Sequence, residues 1–165
     1  MPSKRRVVVT GLGVATPIGT GIDAFWEGLL ESRCGIGKIE AFDPAGFASR
    51  IGGELPPFQL GDFIPKSYRK NAKVMARDIM IAVVCAYHAV RDAGLNTKCI
   101  VERGEATGPP NIDSTRFGAN IGAGLICADL NELASALSTA ADDSGAFSLR
   151  KWGAEGMSNL TPLWL

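Results

Sequence analysis

Four cysteines, one histidine and two glycine-rich runs are the residues of this 165-residue chain whose types could carry chemistry. A cysteine acts as nucleophile or metal ligand through its thiolate, which needs a nearby cation, base or helix N-terminus. Cys34, Cys85, Cys99 and Cys127 are widely separated, with no CxxC pair and no clustered histidines beside them. A zinc site therefore has little support, and reduced, mostly buried thiols are expected. The single histidine, His88, falls within a long helical pattern and reads as a packed or hydrogen-bonded core residue.

The first glycine run, Val9-Thr10-Gly11-Leu12-Gly13-Val14-Ala15-Thr16, invites a dinucleotide-binding reading, because G-x-G after a strand lets backbone approach a pyrophosphate. That fingerprint needs a third glycine opening a helix. Here the position is Thr16, Pro17 follows, and the next helical pattern starts only near Ala24. A nucleotide-binding α/β module is thereby disfavoured, and no cofactor is expected.

These residues must be positioned by the elements around them. Val7-Val8-Val9-Thr10 is β-branched and predicts a buried strand over Arg6–Gly11. Asp23 is placed to cap a helix from about Ala24 to Ser32, with Phe25, Trp26, Leu29 and Leu30 on its apolar face. Phe42 to Phe63 is loop, rich in glycine and proline, with one extended piece at Ser49 to Leu55. Met75 to Ala93 predicts a long helix ended by Gly94, apolar around almost its whole circumference and so buried on most sides. Glu102 to Ser114 reads as a surface connection, and Phe117–Gly122 as a second buried strand leading into a glycine-rich turn. Leu130 to Ala141 is helical, Asp142-Asp143-Ser144-Gly145 breaks it, and the remainder is irregular. Strand, helix, long helix, strand is the order of an α/β sheet covered by helices.

Composition narrows the function classes. Lysine plus arginine equals aspartate plus glutamate, 17 each, so net charge gives no case for nucleic acid or an anionic membrane. Local basic clusters stand at Lys4, Arg5 and Arg6 and at Lys66, Arg69, Lys70 and Lys73, either solvated faces or a docking patch for an acidic partner. Lys4-Arg5-Arg6 before Val7-Val8-Val9 imitates a signal peptide, but glycines and Pro17 break the apolar run and no small-x-small site follows. No stretch reaches the length of a membrane span, and the chain reads as cytoplasmic.

Several segments, taken in order, resemble the elongating β-ketoacyl-acyl-carrier-protein synthases. The opening Arg5-Arg6-Val7-Val8-Val9-Thr10-Gly11-Leu12-Gly13 with Thr16-Pro17-Ile18-Gly19 looks like the start of that family. Phe25-Trp26 with Leu29-Leu30, then Cys34-Gly35-Ile36, is similar to its first helix and the end of that helix. Phe42-Asp43 with Phe47-Ala48, Ala89 to Leu95, and Arg116-Phe117-Gly118 to Gly124 follow at the intervals that the family shows. The resemblance covers residues 4 to 127; from Ala128 the sequence departs from the common pattern.

The resemblance implies an α/β chain that is the first part of a thiolase-like half-domain, a mixed sheet covered by helices, with residues 1–165 forming the N-terminal part of a β-ketoacyl synthase domain cut before the nucleophile. The apolar tail, Thr161-Pro162-Leu163-Trp164-Leu165, agrees with a cut chain. The implied activity is that of an acyltransferase in fatty-acid or polyketide synthesis, condensing an acyl thioester with a decarboxylating malonyl-carrier protein. A cysteine at a helix N-terminus and two histidines would carry it, with acyl carrier protein as partner in a homodimer or a ketosynthase-like heterodimer. None of the four cysteines stands in the alanine-cysteine-small-small context of the family's nucleophile, so no catalytic residue is expected within this chain. Leu125, in the turn after the second strand, is the candidate substrate-binding residue, lining the far end of the acyl pocket. A non-catalytic homologue that shapes a partner's pocket, like a chain-length factor, is the alternative. Because strands one and two of the implied fold are not neighbours, they are expected in one sheet plane with a gap between them.

Overall fold

The computed structural model describes residues 5–122, 124 and 129–160. In chain order its elements are the strands β1 (Ala15–Thr16) and β2 (Gly19–Thr20), helix α1 (Ile22–Leu30), strands β3 (Ile36–Lys38) and β4 (Ile51–Gly53), and a 3-10 turn at Leu60–Asp62. A second 3-10 turn at Lys66–Tyr68 leads into α2 (Arg69–Ala72), followed by α3 (Arg77–Asp92), α4 (Lys98–Glu102), α5 (Leu130–Thr139), α6 (Leu149–Ala154) and a last 3-10 turn at Gly156–Asn159. The class is α/β, with helices and two small sheets.

Both sheets are two-stranded and antiparallel. In the first, Ala15 faces Thr20 and Thr16 faces Gly19. Pro17 and Ile18 make the turn, and the Thr16 hydroxyl donates to the Gly19 carbonyl at 2.9 Å. In the second, Ile36 faces Gly53 and Lys38 faces Ile51. The Glu54 carboxylate closes the long connection by accepting from the Ala41 N–H at 3.0 Å.

The chain divides into two compact units. The first holds residues 1–66 and 81–119, and the second residues 67–80 and 120–165. Buried Leu60, Ile64, Val84, Tyr87 and Ile100 belong to the first unit, and buried Ala76, Ala136, Ala140 and Leu160 to the second. In the second unit α5 starts at Asp129, whose carboxylate accepts from the N–H groups of Asn131 and Glu132. The turn after α5 closes on Asp142, which accepts from the Ser144 N–H and hydroxyl at 2.9 and 2.6 Å. Three hydrogen bonds from this loop, two of them backbone, hold the Asp142 carboxyl below the usual range, the Ser144 hydroxyl first among them.

Neither expected long strand forms. Arg6–Gly11 and Phe117–Gly122 have no strand partner among the described residues, so there is no shared sheet plane in which to find them. A strand is a property of a ladder, and the ladder hydrogen bonds are what stabilise extended backbone. Without a partner Val7, Val8 and Val9 stand 95%, 73% and 79% exposed.

Three helical expectations are also corrected. Helix α1 starts at Ile22 behind Gly21, with no side-chain cap from Asp23, and stops at Leu30 because Ser32 takes the left-handed conformation, φ 53°. Trp26, Leu29 and Leu30 of its apolar face are exposed, and its buried residue is Gly28, tucked under Ile18. Helix α3 matches the expected span within two residues and ends at Gly94, φ 66°, but it buries only Val84 and Tyr87, not its whole circumference. Residues expected to be irregular form α6, capped by the Ser148 hydroxyl, and α4 begins before the surface connection, capped by Thr97.

Candidate functional site

The G-x-G run explains itself once α3 is in place. A Cβ on Gly11 would come within 2.2 Å of the Ala89 carbonyl oxygen, and one on Gly13 within 1.9 Å of the Cys85 carbonyl oxygen. These glycines let the chain lie flat on a helix face of small residues, Cys85, Ala89 and Ala93. The Asp92 carboxylate fastens the crossing by accepting from the Leu12 N–H at 2.8 Å. The space a pyrophosphate would need is filled by α3 itself, so the nucleotide-binding reading fails on geometry.

The following hairpin is packed the same way. Gly35 and Gly53 both lie against Pro17, where a Cβ would come within 2.6 and 2.9 Å, and Gly19 lies against the backbone of Ala24. The Arg33 guanidinium donates to the Ile18 carbonyl at 3.0 Å. Thr16-Pro17-Ile18-Gly19 is thus a rigid corner fixing where α1 begins.

Cys34 is exposed, its thiol directed at the Ile36 carbonyl at 3.8 Å. Burial pushes the thiols of Cys85 and Cys99 up, which disfavours the thiolate, and Arg103 only partly offsets this for Cys99. Among the described residues no group of three histidine, cysteine or acidic side chains could hold a metal ion. His88 packs by its ring, with centroids 5.6 Å from Phe63 and 5.5 Å from Tyr87. Cys127 and Leu125, the expected acyl-pocket residue, lie outside the described residues.

One polar cluster escaped the sequence reading. The Tyr87 hydroxyl donates to Glu105 at 2.6 Å and accepts from Arg91 at 3.1 Å. Arg103 donates to the other Glu105 oxygen at 2.5 Å and to the Ile64 carbonyl at 3.1 Å. The guanidinium carbons of Arg91 and Arg103 lie 5.6 and 5.3 Å from the Tyr87 ring centroid. Burial raises the Glu105 carboxyl, but the bonds from Tyr87 and Arg103 and the two cations outweigh it and hold that group low. The cluster ties α3 to the segment after α4. Its spacing, 87, 91, 103 and 105, carries no motif that a sequence could announce.

Residues 4–158 match the family model described as Beta-ketoacyl synthase, N-terminal domain. The chain belongs to the β-ketoacyl synthase family. It is 47% identical over 92 residues, 56% of its length, to 3-oxoacyl-acyl-carrier-protein synthase 2 of Synechocystis sp., of which it covers 21%. It is 34% identical over 125 residues, 76% of its length, to the tetracenomycin polyketide synthase ketoacyl synthase alpha subunit of Streptomyces glaucescens, of which it covers 26%. A solved ishigamide ketosynthase/chain length factor is 37% identical, with a TM-score of 0.49 over 61% of this chain and 23% of that one. The chain therefore spans between a fifth and a third of these proteins, 21% to 26%. Among the described residues no helix is long and apolar enough to cross a membrane.

Proposed function

We propose that this chain is part of the N-terminal domain of an acyltransferase that condenses an acyl thioester with malonyl-carrier protein, and that it holds none of the catalytic residues. The observation that carries this reading is the family match over residues 4–158, in a chain where burial disfavours the thiolate of Cys85 and Cys99. The whole protein would supply the nucleophile and the histidine pair. Incubated with acyl- and malonyl-carrier proteins, the chain alone is expected to form no ketoacyl product. Turnover that disappears on replacing one of its four cysteines would overturn the reading.

Two parts of the whole enzyme's specificity would lie in this chain. Arg69, Lys70 and Lys73, all in the second unit, are exposed and suit an acidic carrier protein. Arg69→Glu with Lys70→Glu in the whole enzyme is expected to raise KM for carrier-linked substrate while leaving a small free thioester unaffected; equal effects on both would remove the docking role. Leu125 would set the floor of the acyl pocket. Leu125→Phe should then shorten the accepted chain and spare short acyl groups, whereas equal loss at every length would mean overpacking of ordinary core.

A further inference from the structure

Helix α1 starts without a side chain to accept from its first-turn N–H groups: its N-cap is Gly21, φ 84°. What lies over that start comes from α3 instead. A Cβ on Gly21 would come 3.0 Å from both Cε1 and Nδ1 of His88, so the imidazole rests directly on the N-cap. Phe63 and Tyr87 hold the ring from other sides. Beside this contact opens a cleft of about 410 Å³, lined on the α1 side by Thr20, Gly21 and Asp23 and on the α3 side by His88, Arg91 and Asp92.

We propose that His88 is a pH-operated latch: as neutral imidazole it holds the start of α1 against α3, and as imidazolium it releases that contact. The first N–H groups of α1 present partial positive charge toward the ring. Arg91, one turn further along α3, adds a full one. Asp23 and Asp92 line the same cleft and are the groups that oppose them, but Asp92 already accepts from the Leu12 N–H. The Tyr87 hydroxyl is already engaged, as donor to Glu105 and as acceptor from Arg91. Burial first, then Arg91, holds the His88 pKa below its ordinary value. The sign follows: the contribution of the neutral ring is complete above the unfolded-state pKa and is lost as pH falls through the lower folded one.

Hydrogen exchange of the full chain, corrected for intrinsic rates, tests this at pH 7.5 and pH 5. Protection at Phe25 and Trp26 should fall about fivefold or more at the lower pH, with Leu133 to Leu137 of α5 as the internal reference. His88→Phe, which fills the site without titrating, should keep protection at both pH values; His88→Gln is the second such variant. Unchanged protection in the parent, or the same acid loss in either variant, overturns the proposal. Should neither variant fold, the Gly21 amide and the His88 Cε1 proton of the parent must titrate with one midpoint, and separate midpoints overturn it.

Discussion

Gly11-x-Gly13 and Gly122-x-Gly124 have the same spacing, yet a Cβ on Gly11 or Gly13 would meet a backbone carbonyl oxygen at 2.2 or 1.9 Å, while one on Gly118, Gly122 or Gly124 would meet nothing within 4 Å among the described residues. In the first stretch the absent side chain is itself the contact, since two backbones meet where a methyl group would stand. In the second the absent side chain costs only conformational entropy. Composition makes the two stretches look alike; packing separates them. A glycine pair therefore says that backbone could come close, and only a helix face of small residues such as Cys85, Ala89 and Ala93 says that it does.

The largest effect is expected where that contact is broken. Gly13→Ala forces its Cβ into the Cys85 carbonyl, and neither backbone can yield cheaply, so the loss should be on the order of 3 kcal/mol. Denaturant unfolding of the chain would measure it, and a loss under about 1 kcal/mol would mean that the crossing is loose. A smaller effect is expected at the polar cluster. Tyr87→Phe leaves a half-buried Glu105 oxygen without its donor, costing about 1–2 kcal/mol near neutral pH. Because Glu105 is held low in the folded chain, its contribution is present above the unfolded carboxylate pKa and is lost as pH falls through the folded value. The variant should accordingly show a shallower loss of stability between neutral and acid pH, and parallel curves would remove Tyr87 from that role. The smallest effect belongs to the open stretch. Gly118→Ala should be neutral or stabilising by up to about 1 kcal/mol, since φ there is not left-handed and no described residue is near. Marked destabilisation would show that the open stretch is packed after all, and the contrast would fail.

How much was legible depended on whether the information was local. The span of α3, its end at Gly94, the extended piece containing Ile51–Gly53 and the break at Asp142 to Gly145 all follow from residues adjacent in sequence, and all stand in the structure. The start of α1 did not follow, because it is set by the Gly21 N–H donating to the Val14 carbonyl at 2.8 Å and by a ring from α3. Helix α6 was too short for its periodicity to show. The valine run failed for the opposite reason: its β-branched residues state a preference that only a neighbouring strand can realise. At the candidate site, the G-x-G pattern marked a close backbone approach but not what was approached. The Tyr87–Glu105–Arg103 cluster joins residues up to 18 positions apart and left no trace in the spacing.

The way each helix begins also bears on the order in which the chain folds. Helix α5 carries its own start in Asp129, and α6 in Ser148, one residue before each first turn. Both can therefore nucleate from a few neighbouring residues, the fastest kind of event available to a chain. Helix α1 begins at a bare glycine and waits for a hairpin and for a ring 67 positions downstream, by the numbering of Gly21 and His88. Closing a loop of that length must come first, so α1 is placed late on the folding pathway and its ends are the first to fray on the way out.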